Sequence, residues 1–390
     1  MTDQERLLLR SLDGRQVSLW ADDPSAEDPD YLSRQLITYI GNKRALLGQV
    51  ANAVEQVKQR LGKTKLRVLD AFSGSGVVSR LLKAHSSLLI SNDLEDYCAV
   101  IGRCYLRNRS TVDLPALARV VADLNQRVAT ETLPPGFIEE LYAPRDETRV
   151  TADDRVFYTK SNARRLDDYR RLIDSAPRDM RDLLMGPLLS SASIHANTAG
   201  VFKGFYKNRR TGIGQFGGSG SDALVRIMGE IRLDLPVLSN LECDCEVLQE
   251  DANAAAGRLT DLDLAYIDPP YNQHPYGSNY FMLNLLVRYE RPAHISRVSG
   301  IPTDWRRSGY NVRVRSLPLL SRLLHAIDAP FLLVSFNNEG FISPAQMHEM
   351  LGGLGSVDVL ETRYNAFRGS RNFNNRPLHV TEQLFLVERR

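Results

Sequence analysis

The chain has 390 residues, 43% hydrophobic and 25% charged, which suits one large domain or two smaller ones built around a substantial core. That balance excludes a largely disordered or collagen-like chain, and no apolar run reaches the ~18 residues of a membrane span. The formal net charge is only +2, so bulk electrostatics alone do not announce a nucleic-acid partner.

The first residues, Met1-Thr2-Asp3-Gln4-Glu5-Arg6, are polar and acidic where a signal peptide would be basic and then apolar, so a cytoplasmic location is expected. Residues 1–35, with Asp22-Asp23-Pro24 and Asp28-Pro29-Asp30, read as a loose polar arm. Apolar residues at 46, 50, 53, 54, 57 and 61 recur at helical spacing and predict a helix that Gly62 ends. An alternation follows: strand at 66–72, helix at 76–83, strand at 88–90, helix at about 94–106. It resumes with strands at 246–248, 264–267 and 331–336. Strands alternating with helices predict an α/β fold with a mostly parallel, doubly wound sheet. Residues 356–364 and 379–388 have no helix between them and predict an antiparallel pair at the end. Residues 108–240 break the alternation, look helical and loop-rich, and should form an inserted lobe between the two parts of the α/β domain at 36–107 and 241–390.

The cysteines at 98, 104, 243 and 245 lack the Cys-x2-Cys spacing of a zinc site, and His-Glu-x-x-His is absent from the sequence. Four free buried thiols and no metal are expected. Gly62-Lys63-Thr64 ends like a phosphate loop, but Val57 stands where its first glycine would fall and a helix precedes it.

Two segments carry chemistry. Asp70-Ala71-Phe72-Ser73-Gly74-Ser75-Gly76 is a strand running into a glycine turn before a helix, a place where backbone approaches a ligand closely. Asp93, at the end of the next strand, is placed to take the two hydroxyls of a ribose. Asp268-Pro269-Pro270-Tyr271 follows the apolar strand at 264–267. Two consecutive prolines stop the ladder and present a carboxylate, a run of carbonyls and an aromatic ring at the carboxyl edge of the sheet. Asp268 and the Pro269 carbonyl suit the two N–H bonds of an exocyclic amine, and Tyr271 suits stacking on its ring.

In these segments the chain resembles the Dam-like (D12 class) DNA adenine methyltransferases that use S-adenosylmethionine. Tyr39-Ile40-Gly41-Asn42-Lys43-Arg44 is similar to the family's amino-terminal motif, residues 70–76 to its cofactor loop and residues 268–271 to its catalytic motif. Asp251 stands where the family places the acid that meets the cofactor's adenine. Residues 334–340, 368–372 and 379–382 resemble its later strand and closing hairpin.

The resemblance implies a Rossmann-like methyltransferase sheet, mostly parallel with a carboxyl-terminal antiparallel hairpin and an inserted, mainly helical recognition lobe. Its implied catalytic residues are Asp268, Pro269, Pro270 and Tyr271. Its implied cofactor residues are Tyr39, Lys43, Asp70, Phe72, Gly74, Gly76, Asp93, Asp251 and Asp268. The implied partner is double-stranded DNA, and a separately encoded restriction endonuclease is a candidate second partner. The implied reaction moves a methyl group to N6 of a flipped adenine, through positioning and electrostatics. Cytosine N4 methylation, RNA adenine methylation and a nucleic-acid-binding module with an inactive methylase fold stay open as alternatives. The common Asp/Glu-x-Lys nuclease signature is absent from the sequence, so a fused nuclease is not expected.

Only 8 of the 49 basic residues are lysine, so arginine, with its bidentate fork for phosphates and guanine, dominates. Residues 183–221 contain no Asp or Glu, and within them Lys203, Lys207, Arg209 and Arg210 interleave with aromatic residues and glycines. That pattern predicts a mobile clamp on the DNA backbone. Arg368 and Arg371 in the acid-free stretch 362–381 are expected to add DNA contacts, and a further basic stretch spans 305–327.

Overall fold

The computed structural model describes residues 27–218, 222–337, 340–365 and 379–390, with backbone alone at 222, 362–365 and 379–381. Its sheet takes β1 (Leu66–Asp70), β2 (Ser86–Asn92), β3 (Asp244–Leu248), β4 (Leu264–Ile267), β5 (Phe331–Asn337), β6 (Gly355–Asn365) and β7 (His379–Arg389), in the spatial order β3-β2-β1-β4-β5-β7-β6. The first five are parallel; β7 runs antiparallel to β5 and to β6.

Side chains alternate between two covered faces, as the strand period of two requires. Val68, Leu264, Tyr266, Phe331 and Leu333 pack on α2 (Leu47–Leu61) and α3 (Val77–His85), which follow the short α1 (Pro29–Ser33). Leu69, Ala265, Ile267, Leu332 and Val334 face the opposite helical layer. Gly62 caps α2 at φ +64°, a left-handed conformation that stops the helix as its sequence position indicated.

Among the described residues no strand falls between β2 and β3. The chain there forms α4 (Asp96–Tyr105), α5 (Leu114–Thr130), α6 (Phe137–Tyr142), α7 (Lys160–Asp174), α8 (Arg181–Ile194) and α9 (Asp222–Met228). Of these, α5 to α8 share one continuous apolar cluster with α4 and with the later helix Phe281–Arg288, through Ile101, Leu124, Leu166, Leu188 and Phe281. The remaining helices are α10 (Ala252–Ala256), α11 (Tyr276–Asn279), α12 (Phe281–Arg288), α13 (Arg313–Ala326) and α14 (Pro344–Gly352).

The loose-arm reading needs correction where the arm is described. Residues 1–26 lie outside the described residues, but Tyr31 and Leu32 of α1 are buried. The Tyr31 hydroxyl donates to the Tyr105 carbonyl at 2.7 Å, and Glu27 accepts the Asn240 N–H at 2.8 Å. The sequence reading missed this docking because Tyr31 and Leu32 are only two apolar residues in an acid- and proline-rich segment, too few to show a period. All four cysteines are free thiols, three of them buried and Cys245 partly so.

Candidate active site

β1 pairs with β2 on one side and β4 on the other, so the chain winds away in opposite directions at this point. A crevice opens at the carboxyl ends of such strands. After β1 the chain turns through Gly74 (φ +51°) and Gly76 (φ +73°), conformations that a side chain would strain. A Cβ on Gly74 would also sit 2.9 Å from the Tyr39 ring. Asp93 ties the turn down: Oδ2 accepts the Gly74 N–H at 2.8 Å and Oδ1 the Glu95 N–H at 3.0 Å. Burial pushes its carboxyl up, with those backbone donors pulling the other way. The Asn92 amide donates to the carbonyls of Ala71 (3.1 Å) and Glu250 (3.2 Å), lacing the ends of β1, β2 and β3 together.

The resulting cleft is open to solvent and, with the solvent space at its mouth, measures about 880 Å³. Tyr39, Lys43, Phe72, Gly74, Asp93, Asp251, Asp268 and Pro270 line it. Asp70, Gly76, Pro269 and Tyr271 are not part of that lining. Asp70 is fully buried below the turn, where the Ser79 hydroxyl donates to Oδ2 at 2.5 Å and burial pushes its carboxyl up to about 7. It lies beneath the turn, tied to Ser79 of α3, and is absent from the lining of the cleft. Gly76 faces Ile101, which a Cβ there would approach to 3.2 Å. Asp251 caps α10, its Oδ1 accepting the N–H groups of Asn253 (3.0 Å) and Ala254 (3.3 Å), while it stays exposed on the cleft wall.

Five carboxylates line the cleft (Asp93, Glu95, Glu250, Asp251 and Asp268) against two cations, Lys43 and Arg306. Arg306 is itself paired to Asp96 at 3.1 Å. An acidic crevice whose floor is a glycine cradle, with Phe72 set edge-on to Tyr310 at 5.2 Å, fits a cationic nucleoside.

The second turn follows β4, all four of whose residues are buried. Its first residue, Asp268, meets a cation from far away in sequence: the Lys43 ammonium lies 3.2 Å from Asp268 Oδ1 and 2.7 Å from Glu382 Oε1. Lys43 is 3% exposed, and Glu382 on β7 is 1% exposed. Burial pushes the Asp268 carboxyl up to about 7, with Lys43 pulling it down and Glu382 adding to the rise. Burial opposes the lysine charge too, yet Asp268 and Glu382 hold it well above the usual lysine range. Asp268 Oδ1 is buried without a donor in hydrogen-bonding geometry.

The segment carrying Lys43 is held over the cleft by a stack of three rings. Tyr39 lies 5.0 Å from both Tyr276 and Tyr280, nearly parallel to each. The Ile40 N–H donates to the Tyr280 hydroxyl at 2.8 Å, and the Tyr276 hydroxyl donates to the Ile40 carbonyl at 3.2 Å. Tyr271 departs from the open stacking surface expected of it. Its ring is 9% exposed, set edge-on to Phe336 at 5.8 Å, with the Lys43 ammonium 5.6 Å from its centroid.

Lys203, Lys207, Arg209 and Arg210 are all exposed. The stretch read as a clamp forms a hairpin: Lys207 pairs with Gly214, and the Asn208 N–H donates to the Ile213 carbonyl at 2.8 Å. Fully buried Asn197 pins its base, donating to the carbonyls of Val156 (2.7 Å) and Gln215 (2.8 Å) and accepting the Gly217 N–H at 2.9 Å. The Phe202 N–H donates to the Asn279 carbonyl at 2.7 Å, which fastens the hairpin to α11 on the cleft wall. Arg368 and Arg371 lie outside the described residues. In the third basic stretch Arg307 stacks on Trp305 at 4.3 Å and Arg313 on Phe341 at 5.0 Å.

Sequence reasoning did not single out Glu95, Arg306 or Glu382 as site residues. Glu95 accepts the Asn284 amide at 2.6 Å, and burial pushes its carboxyl up to about 7. Arg306 fell in a stretch read only for its charge. Glu382 carried no signal beyond its place in the closing hairpin.

A crevice for a cationic nucleoside beside a buried, proline-bounded carboxylate defines an enzyme that transfers a group to an amine. The chain belongs to the D12 class of N6 adenine-specific DNA methyltransferases, whose family model matches residues 39–312. It is 28% identical to the type II methyltransferase M.NlaIII of Neisseria lactamica, over 90% of this chain and 99% of that protein. It is 26% identical to the type II methyltransferase M.CviAII of Paramecium bursaria Chlorella virus 1, over 90% and 98%. It is also 26% identical to the modification methylase StsI of Streptococcus sanguinis, over 90% of this chain and 52% of that longer protein. The enzyme thus methylates adenine N6 in DNA, site-specifically, and S-adenosylmethionine is its methyl donor; the family match settles the choice between adenine and cytosine left open by the tetrapeptide. Among the described residues no helix is long and apolar enough to cross a membrane.

Proposed function

We propose that Asp268 accepts one N–H of the target adenine's amine and the Pro269 carbonyl the other, in a base flipped out of duplex DNA. The observation that carries this is Asp268 Oδ1, buried at the border of the cleft with the Lys43 ammonium 3.2 Å away but no donor in hydrogen-bonding geometry. A buried acceptor left in that state costs about 1–3 kcal/mol, a cost that an arriving amine relieves. The aryl amine is a poor nucleophile because its lone pair is delocalised into the ring. Two acceptors draw its hydrogens out of the ring plane and localise that lone pair.

Tyr39, Phe72, Gly74, Asp93 and Asp251 would hold the donor, with Lys43 at its border with the base; Asp70 and Gly76 act by shaping the turn. When bound, S-adenosylmethionine supplies an electrophilic methyl group. Asp93 offers the ribose the lone pairs that Gly74 and Glu95 leave spare, and Asp251 does the same for the adenine ring. Tyr271 stacks on the flipped base once its ring leaves Phe336. Pro270 stiffens the turn and walls the cleft.

Residues 36–107 and 241–390 form the catalytic part, and 108–240 the recognition insertion. Lys203, Lys207, Arg209, Arg210, Arg368 and Arg371 contact DNA phosphates. The type II relatives support modification within a restriction system whose endonuclease is a separate chain, in the cytoplasm where DNA and donor meet.

The test has two stages. Sequencing modified bases in DNA from cells expressing the chain gives the target site. A duplex with 2-aminopurine at that adenine then reports flipping, and Asp268→Ala should flip the base without methylating the normal duplex. A flipping signal absent from both wild type and variant would refute the flipped-base reading.

A further inference from the structure

Lys43 stands between two buried carboxylates, and it is nearer to the one that does not line the cleft. Glu382 Oε1 is 2.7 Å from the ammonium, against 3.2 Å for Asp268 Oδ1. Glu382 is fixed within the sheet: it sits on β7, between β5 and β6 and opposite Asn337 of β5, and the Ser335 hydroxyl donates to its Oε1 at 2.8 Å. Its position is therefore set by strand register, the stiffest coordinate the fold has.

A lysine facing Asp268 alone would settle on that carboxylate and occupy the lone pairs the target amine needs. A carboxylate facing no cation at all would, at this depth, take up a proton and cease to accept. Glu382 makes a third arrangement possible. It holds the ammonium nearer to β7, 2.7 Å from Glu382 against 3.2 Å from Asp268, and Asp268 Oδ1 has no donor in hydrogen-bonding geometry. With all three groups ionised the trio carries a net charge of −1, matched to a cationic donor and to the positive charge that builds on the amine during transfer.

We propose that Glu382 is a positioning residue of the methyl-transfer site, holding the Lys43 ammonium toward β7 so that Asp268, kept charged by that ammonium, stays open to the target amine. This rests on the assignment of Asp268 to the amine. The titratable groups facing Asp268 and Lys43 from the surrounding elements are Asp70 on β1, Tyr266 on β4, and Tyr271 and Tyr276 after it. Glu382 is the carboxylate that contacts the ammonium from the side away from the cleft. The rise of the Asp268 carboxyl to about 7 has burial as its main cause and Glu382 as a contributor, with Lys43 opposing.

The signs of two substitutions follow and are opposite. Glu382→Gln removes a negative neighbour and frees Lys43 to bind Asp268, so the acid limb of the single-turnover pH–rate profile moves to lower pH. Lys43→Met removes the cation and moves that limb to higher pH. At the plateau Glu382→Gln should slow transfer by about tenfold to a hundredfold, with little change in KM for DNA, and Glu382→Asp should recover part of the rate. Full-length enzyme with a duplex containing its target site serves for the profiles, and thermal melting and donor binding by calorimetry accompany each variant. Glu382→Gln that is slowed with an unmoved acid limb assigns Glu382 a purely structural role and overturns the proposal, as does a wild-type rate and profile. If Glu382→Gln does not fold, Lys43→Met decides: an upward shift of the limb supports the proposal and an unmoved limb overturns it. An Asp268→Ala enzyme at the wild-type rate would instead refute the assignment on which the inference stands.

Discussion

The two turns of the cleft solve one problem by opposite means. The turn after β1 is built of glycine and backbone: its N–H groups are met by Asn92 and Asp93 at the end of the adjacent strand β2 and by its own Ser73 carbonyl, and its shape follows from left-handed torsions at Gly74 and Gly76. The turn after β4 is built of proline and charge, and its carboxylate is completed by Lys43 and Glu382, brought from distant parts of the chain. A turn that binds through backbone can be completed locally. A turn that must tune a charge needs groups on several elements, because only a packed fold brings opposite charges together out of water. Damage to the first should therefore appear as lost donor affinity, and damage to the second as lost rate.

The widest separation should come from Asp268→Ala, which is expected to abolish methyl transfer, by at least about a thousandfold, while the donor still binds, since the acceptor acts on the amine. Digestion of reacted DNA and mass spectrometry for N6-methyladenine measures this, and equal losses of rate and donor affinity would erase the distinction between the turns.

Proton titration sharpens the same contrast. With Asp268 raised to about 7 by burial, transfer should fall as pH drops through that value, approaching about tenfold per pH unit below it, because the protonated carboxyl no longer accepts. Donor binding below pH 7 should decline less steeply; coincident curves would count against Asp268 as the titrating group.

Gly74→Ala attacks the backbone turn. Its Cβ would meet the Tyr39 ring at 2.9 Å in a left-handed conformation, so donor affinity should weaken by about 1–3 kcal/mol in calorimetry. Asp93→Ala should lose about 1.5–3 kcal/mol of donor affinity by removing both the ribose acceptor and the anchor of Gly74. If either instead lowered rate with affinity intact, the two turns would not be separable as described.

The smallest effect belongs to the basic hairpin, outside both turns. Replacing Lys203, Lys207, Arg209 and Arg210 with alanine should flatten the log–log salt dependence of DNA binding by about 0.9 per lost phosphate contact. Donor affinity should not change, and an unchanged salt slope would mark the hairpin as merely solvated.

The amino-acid sequence by itself determined the strands, the two turns and the acids Asp93 and Asp268. These rest on periodicity, glycine and consecutive prolines, and such signals act over a few residues. The tertiary structure alone decided that Asp70 lies beneath the cleft and not in its lining, because α3 packs on the sheet there and brings the Ser79 hydroxyl to its carboxylate. It alone folded residues 206–215 into a hairpin pinned by Asn197, whose buried amide reads in sequence like any polar loop residue. It buried Tyr271 against Phe336, and it joined Lys43, Asp268 and Glu382 into one charged group. That group has no sequence signature, since sheet order and strand register, which depend on long-range packing, set which distant charges meet.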